Sequence, residues 1–207
     1  MLDATAELLT LTYPIAETFH SLQGEGAWAG GNAFFIRLGG CDVHCPWCDQ
    51  KETWPTQHHS RQTVAELVQQ AVAAKPSFVV ITGGEPLMHD LQPLCQALKN
   101  QGLRLHLETS GAYPLTGQFD WITLSPRPDK PPQAEIYALA NELKVIISQD
   151  GVFDWAEMAA TKVNPDIPLY LQAEWAMEAV NETIFDYILC HPQWRLSLQT
   201  HKYLGVR

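Results

Sequence analysis

Three cysteines fall within eight residues, Cys41-Asp-Val-His-Cys45-Pro-Trp-Cys48, and no fourth cysteine follows nearby to close the set. An iron–sulfur cube that only carries electrons takes four thiolates, so a supply of three implies a [4Fe–4S] cluster with one iron open to a cofactor or substrate. Such a centre does chemistry rather than electron storage. The plainer alternative is zinc, which wants a tetrahedral fourth ligand, and the candidates are His44, Cys95 and Cys190. His44 lies inside the loop, too cramped to serve beside Cys45. Cys95, in the helically spaced Leu91-Gln-Pro-Leu-Cys95-Gln-Ala-Leu98, and Cys190, ending the apolar run Tyr187-Ile-Leu-Cys190, both read as small core hydrophobes.

A second chemical segment, Thr82-Gly-Gly-Glu-Pro86, follows an apolar run. Glycines directly after a strand let backbone approach a ligand closely, and the adjoining carbonyl and carboxylate suit an ammonium group. Alone, the segment is an ordinary strand exit. Together with the C-x3-C-x2-C loop it resembles the radical S-adenosylmethionine (SAM) enzymes. That resemblance implies SAM bound through its amino and carboxylate groups to the open iron, and cleavage to a 5′-deoxyadenosyl radical.

These residues need elements to position them. Strand candidates are Phe34–Leu38, Phe78–Thr82, Leu103–Leu107, Trp121–Ser125, Leu143–Ile147, Leu169–Gln172 and Arg195–Gln199, and between them lie helical patterns. Thr63-Val-Ala-Glu66 reads as a capping box opening a helix whose apolar positions are Val64, Leu67, Val68, Ala71 and Val72. Further helical spacing runs from Phe153 to Lys162 and from Met177 to Leu189. Candidate ligands recur where strands end: the cysteines, Thr82–Pro86, Glu108-Thr-Ser-Gly111, Ser125-Pro-Arg127, Gln172, and Gln199 through His201. Active sites of βα barrels gather at those carboxyl ends, although loops are polar in general. With 207 residues against about 250 for a full barrel, the expected fold is α/β, an incomplete TIM-like βα barrel in one domain spanning 1–207.

Acidic residues outnumber basic ones 23 to 13, a formal charge of −10 that opposes nucleic-acid binding. Five cysteines, three of them clustered, suit ligands better than disulfides. Met1–Glu7 lacks the basic region of a signal peptide, and no apolar run reaches the ~18 residues of a membrane span. The expectation is a cytoplasmic protein with no membrane or nucleic-acid partner.

The segments Glu17-Thr-Phe-His-Ser-Leu-Gln-Gly-Glu-Gly26, Phe35-Ile-Arg-Leu38, Cys48-Asp49 with Thr53-Trp54, and Trp194 through Leu204 together resemble the 7-carboxy-7-deazaguanine synthases, end to end and in the compact proteobacterial form. The resemblance implies a carbon–nitrogen lyase acting on 6-carboxy-5,6,7,8-tetrahydropterin in queuosine precursor biosynthesis. It implies Mg²⁺ assistance, SAM regenerated in each cycle, a flavodoxin or ferredoxin reductant and a homodimer. It assigns the cluster to Cys41, Cys45 and Cys48, SAM to Trp47, Cys48, Asp49, Gly84, Glu85, Ser125, Pro126 and Arg127, and substrate to Leu22, Gln23, Gly24, Glu25, Arg37, Thr82, His201 and the terminal Arg207. No acid or base is assigned. Arg37 suits a two-point pair with a carboxylate, with a rim salt bridge as its alternative.

Two positions depart from that family. Gln50 stands where threonine usually ligates Mg²⁺; its amide oxygen can bind a hard cation, but its longer reach would displace the ion or insert a water. Arg127 replaces the common lysine, keeping the charge but not the geometry. An activating enzyme for a glycyl radical partner shares the cysteine spacing, but Gln23-Gly-Glu-Gly26 and Arg37 argue against a peptide substrate. A zinc-binding interaction module is the non-enzymatic alternative. His58 and His59 read as surface imidazoles, and Trp47 and Trp54 as shields for the cluster or adenine.

Overall fold

The computed structural model describes residues 7–148, 152–177 and 179–207. The segment read above for a signal peptide therefore lies, except for Glu7, outside the described residues, as does one position of the 177–189 helical pattern. A single nine-stranded sheet organises the chain in the order β3-β1-β2-β4-β5-β6-β7-β8-β9. β1 (Thr12–Leu22) pairs antiparallel with β2 (Asn32–Leu38) and with β3 (Ser60–Thr63). From β2 onward every pairing is parallel, through β4 (Phe78–Gly83), β5 (Leu105–Thr109), β6 (Trp121–Leu124), β7 (Glu142–Ile147), β8 (Leu169–Ala173) and β9 (Trp194–Leu196). Because β3 and β9 are separate edges, the sheet does not close and the barrel is incomplete. All seven expected strands form, with β5 shifted toward its carboxyl end and β9 shortened.

Two antiparallel strands went unforeseen. Pro14 interrupts the apolar alternation of β1, and the register shifts between Ile15 and Glu17, an irregularity that periodicity does not detect. The four residues of β3, Ser60-Arg-Gln-Thr63, carry no apolar side chain at all.

The helices α1 (Val64–Ala74), α2 (Gln92–Lys99), α3 (Ala134–Leu139), α4 (Val152–Ala160) and α5 (Val180–Cys190) fall between strands, and α6 (Thr200–Leu204) ends the chain. α1 opens on the expected capping box: Glu66 N donates to Thr63 Oγ1 at 3.2 Å, and Thr63 N donates to Glu66 Oε2 at 2.7 Å. Val64, Leu67 and Ala71 are buried, whereas Val72 faces solvent. Cys95 is buried in α2 as expected, but Cys190, expected in the core, is exposed. It is the last residue of α5, one position beyond exposed Leu189, so the apolar run there leaves the core before it ends.

Period-two alternation separates the two faces of the sheet. Phe34, Ile36, Leu38, Val79, Ile81, Leu105, Leu107, Leu124, Leu143, Val145 and Leu171 join the helices in the main core. Each fully buried aliphatic side chain there contributes roughly 1.5–3 kcal/mol. Facing the other way, Phe35, Phe78 and Val80 pack with Phe19 and Trp28 as an apolar floor. Above that floor, toward the carboxyl ends of the same strands, come Arg37, Thr82, Glu108, Lys144 and Gln172. Alternation thus turns an apolar face to the helices, while the other face has an apolar floor at β2 and β4 and polar side chains above it.

Candidate active site

β2 runs into Gly39-Gly40 and then the cysteine loop. The loop is tied to the segment behind it, with Gly40 N donating to Thr53 O at 2.7 Å and Cys41 N to Trp54 O at 3.1 Å. Cys48 N donates to Cys45 O at 3.0 Å, and Gln50 N to Cys48 Sγ at 3.4 Å. His44 turns through φ 51°, and its ring lies 4.6 Å from that of Trp54. Cys41, Cys45 and Cys48 are free thiols lining one cavity of about 230 Å³. Gly84 lies so close to the loop that a Cβ there would sit 2.2 Å from Gly40 O and 2.8 Å from Cys41 Cβ. Only glycine permits that approach.

The donor set fits an open-site [4Fe–4S] cluster with SAM on it. Three reduced thiols share a cavity with Trp47, Asp49, Gly84, Glu85, Ser125 and Arg127. Trp47 and Trp54 also line that wall. Of the residues expected around SAM, Pro126 is buried and does not line the cavity.

Glu85 differs from expectation in a second way. Its carboxylate accepts from Leu87 N (3.0 Å), Thr109 Oγ1 (2.6 Å), Ser110 N (2.8 Å) and Ser110 Oγ. Four donors saturate the oxygens, so the side chain pins the end of β5 rather than waiting for an ammonium group. Arg127 folds back in part, its Nη1 donating to Ser125 O and Oγ at 2.7 Å each.

A second cavity, of about 360 Å³, adjoins the first. Leu22, Gln23, Gly24, Glu25, Arg37, Thr82, His201 and Arg207, the expected substrate residues, all line it. Glu25, Arg37, Asp49, Gln50, Thr82, Glu108 and Gln199 belong to both walls, so the cavities meet at these side chains. Glu17 sits opposite Arg37 in the β1/β2 register, and Arg37 Nε donates to Glu17 Oε1 at 2.9 Å. Arg207 pairs with the same carboxylate, and its carbonyl oxygen accepts from Ser21 Oγ. The chain end is thereby folded over β1. His201 packs on Gly24, where a Cβ would fall 1.9 Å from its Nδ1. Burial pushes the imidazole pKa down, against the pull of Glu25.

Beneath the junction lies a buried charge network. Lys144 Nζ donates to Glu25 and, at 2.9 Å, to Glu108 Oε2. Gln23 Nε2 donates to Glu108 Oε1 at 3.1 Å, and Gln199 Nε2 to Glu25 Oε1 at 2.7 Å. Glu142 accepts from Ala27 N at 2.9 Å and Thr123 Oγ1 at 3.1 Å. Burial, with Lys144 opposing and the charges of Glu25 and Glu142 adding to it, pushes the Glu108 carboxyl up to about 7. Burial also works to raise Glu25, but the charge and hydrogen bond of Lys144, with Gln199 and His201, outweigh it and hold Glu25 at about 2. Although burial disfavours its charge, Lys144 is shifted upward by the three surrounding carboxylates. Sequence reasoning assigned no role to Lys144 or Glu142 and took Glu108 only as a candidate ligand at a strand end. One signal was present, a lysine inside the otherwise apolar run Leu143-Lys-Val-Ile-Ile147, since a strand covered on both faces buries charge only when it is paired.

The expected Mg²⁺ ligand fits less well. Gln50 Nε2 donates to Asp49 O at 3.1 Å, and the Asp49 carboxylate is paired with Lys202. Mg²⁺ demands an octahedron of oxygens. Direct ligation of Mg²⁺ through Gln50 does not fit this arrangement.

Residues 35–124 match the model of the Radical SAM superfamily. A 7-carboxy-7-deazaguanine synthase from Synechocystis sp. is 86% identical over 98% of this chain and 97% of its own length. Another from Flavobacterium psychrophilum is 48% identical over 93% and 92%, and one from Escherichia coli is 32% identical over 95% and 100%. The crystal structure of QueE from Escherichia coli superposes with a TM-score of 0.82 at 27% identity, over 94% of this chain and 97% of that one. The likeness therefore runs end to end, but the identities correct the expected proteobacterial form.

Proposed function

The chain belongs to the 7-carboxy-7-deazaguanine synthase family of radical SAM enzymes, and we propose that its two adjoining cavities hold SAM and the pterin substrate on either side of a shared polar junction. It is a lyase whose product is 7-carboxy-7-deazaguanine. Its substrate is 6-carboxy-5,6,7,8-tetrahydropterin, and ring contraction expels ammonia. The cluster and SAM, when bound, supply the hydrogen-atom abstraction that no side chain provides.

The chain's residues bind and orient. Cys41, Cys45 and Cys48 hold the cluster; Trp47, Cys48, Asp49, Gly84, Ser125 and Arg127 hold SAM, with Glu85 and Pro126 fixing the loops around it. Trp47 and Trp54 cover the cavity and keep water out. Leu22, Gln23, Gly24, Glu25, Arg37, Thr82, His201 and Arg207 hold the pterin. Hydrogen transfer needs reacting atoms about 3–3.5 Å apart and aligned, and a junction walled by residues common to both cavities is where that approach can be met. Glu108, hydrogen-bonded by Gln23 and Lys144, holds the wall that the two cavities share.

One observation carries this reading: every residue expected to touch substrate lines one cavity, which shares seven wall residues with the cavity of the three thiols. Among the described residues, no helix is long and apolar enough to cross a membrane. A cytoplasmic setting, a single domain over 1–207, a flavodoxin or ferredoxin reductant, a homodimer and a place in queuosine precursor synthesis belong to the same reading. The test is anaerobic reconstitution with iron and sulfide, then dithionite, SAM and the pterin, followed by mass spectrometry. Formation of 7-carboxy-7-deazaguanine is expected; a cluster that cleaves SAM and leaves the pterin untouched refutes the substrate.

A further inference from the structure

We propose that the ammonium group of Lys202 is the resident cation where the two cavities meet, taking the place that Mg²⁺ was expected to fill. The inference rests on reading the second cavity as the substrate site. Asp49 follows the last cluster cysteine and lines both cavities, and Lys202 Nζ lies 2.5 Å from its Oδ2. Lys202 is no loose surface lysine. Its side chain is 19% exposed, its Nζ is 4.9 Å from the centre of the Trp175 ring, and its helix is fastened to the substrate wall. That fastening is made by Thr200, whose N and Oγ1 donate to Gly24 O at 3.0 and 3.1 Å.

The surroundings leave little for a dication. Gln50 turns its amide nitrogen onto Asp49 O, and the most that this position can offer a cation is a neutral amide oxygen. Glu17 is paired with Arg37 and Arg207, and Glu25 and Glu108 with Lys144. Glu52, also on the second wall, is exposed. Mg²⁺ keeps several waters but is anchored through one or two carboxylates, and the one at this position, Asp49, already carries an ammonium group that repels it. An ammonium carries three donors. With one spent on Asp49, the others remain for an anionic group of the substrate in the cavity that Lys202 also lines.

The test uses the whole chain and reads metal binding apart from turnover. Mn²⁺, a paramagnetic stand-in for Mg²⁺, is titrated into the native protein, Lys202→Met, Lys202→Arg and the double variant Lys202→Met/Asp49→Asn, following the free-ion resonance. In parallel, KM for the pterin is measured with EDTA and with Mg²⁺. The native protein and Lys202→Arg should bind Mn²⁺ weakly and respond little to Mg²⁺. Loss of the pair in Lys202→Met should tighten Mn²⁺ binding about tenfold and raise KM about tenfold in EDTA, with Mg²⁺ recovering most of the KM change. The double variant should show no recovery, because the anchoring carboxylate is gone. Tight Mn²⁺ binding by the native protein, a Mg²⁺ requirement for its turnover, or a KM change in Lys202→Met that Mg²⁺ does not reverse would overturn the proposal. Should the native protein bind SAM yet never convert the pterin, the substrate reading would fall, while the Mn²⁺ titration would still judge the cation.

Discussion

Lys144→Met removes the cation from beneath the junction while nearly keeping the volume of the side chain, and its cost follows from what is left behind. Glu25 and Glu108 each lose a charge-assisted hydrogen bond, at side-chain exposures of only 17% and 18%. Breaking a buried pair by removing one partner costs about 3–5 kcal/mol, a large part of the roughly 5–15 kcal/mol that holds a domain folded. For a chain of this size that is a fall in Tm of roughly 6–20 °C. The pH dependence is the sharper signature. In the native protein burial keeps the proton on Glu108 up to about 7, whereas the unfolded chain releases it near the ordinary glutamate value of 4.5. Between those values the native state binds more protons, so Glu108 makes stability fall as pH rises, by about 3 kcal/mol in all. Glu25 acts oppositely. Held at about 2 by Lys144, it adds stability as pH rises from about 2 to 4.5 and loses it again on acidification through that range. Without Lys144 the Glu25 carboxyl rises too, and both acids then cost more the higher the pH. Urea unfolding of the apoprotein, followed by tryptophan fluorescence at pH 5 and pH 8, should show a deficit of about 3–5 kcal/mol at pH 8 and a clearly smaller one at pH 5. A deficit below about 1 kcal/mol at pH 8, or one equal at both pH values, would refute the assignment of Lys144 as the buried counter-ion.

Alanine at any one of Cys41, Cys45 or Cys48 should abolish cluster assembly, read as iron content and visible absorbance after reconstitution, with the far-ultraviolet circular dichroism retained. A Gly84→Ala variant should fold but lose SAM affinity at least about tenfold by calorimetry, because its Cβ would press on Gly40 O and Cys41 Cβ and displace the cysteine loop. Thr63→Ala removes the capping box of α1 at a cost of about 1 kcal/mol, or roughly 2–4 °C in Tm, and should leave kcat unchanged, since α1 lies outside both cavities.

What the sequence made legible were the local signals. The cysteine spacing, the Gly-Gly turn after β4, the capping box and the parallel strands are each written in contiguous residues, and each forms at or near the expected position. What stayed hidden depends on residues far apart in the chain. The Glu17–Arg37 pair exists only because β1 and β2 run antiparallel in one particular register, and Pro14 masked β1 itself. Glu25, Glu108, Glu142 and Lys144 come from three separate segments that meet only once the sheet has curved into a partial barrel. The saturation of Glu85 likewise depends on Thr109 and Ser110 arriving from the next strand. Cys190 misled because an apolar run at the end of a helix looks the same whether its final turn packs or faces water.

One hydrogen atom is expected to cross the junction between the two cavities and return. Pterin deuterated at C6 is given to the reconstituted enzyme under single and multiple turnovers, and deuterium is located in SAM and in product by mass spectrometry. With SAM regenerated in each cycle, as the resemblance implies, deuterium should appear in SAM, with no net loss of SAM per product formed. Stoichiometric consumption of SAM, or unlabelled SAM after many turnovers, would show that no hydrogen atom returns across the junction.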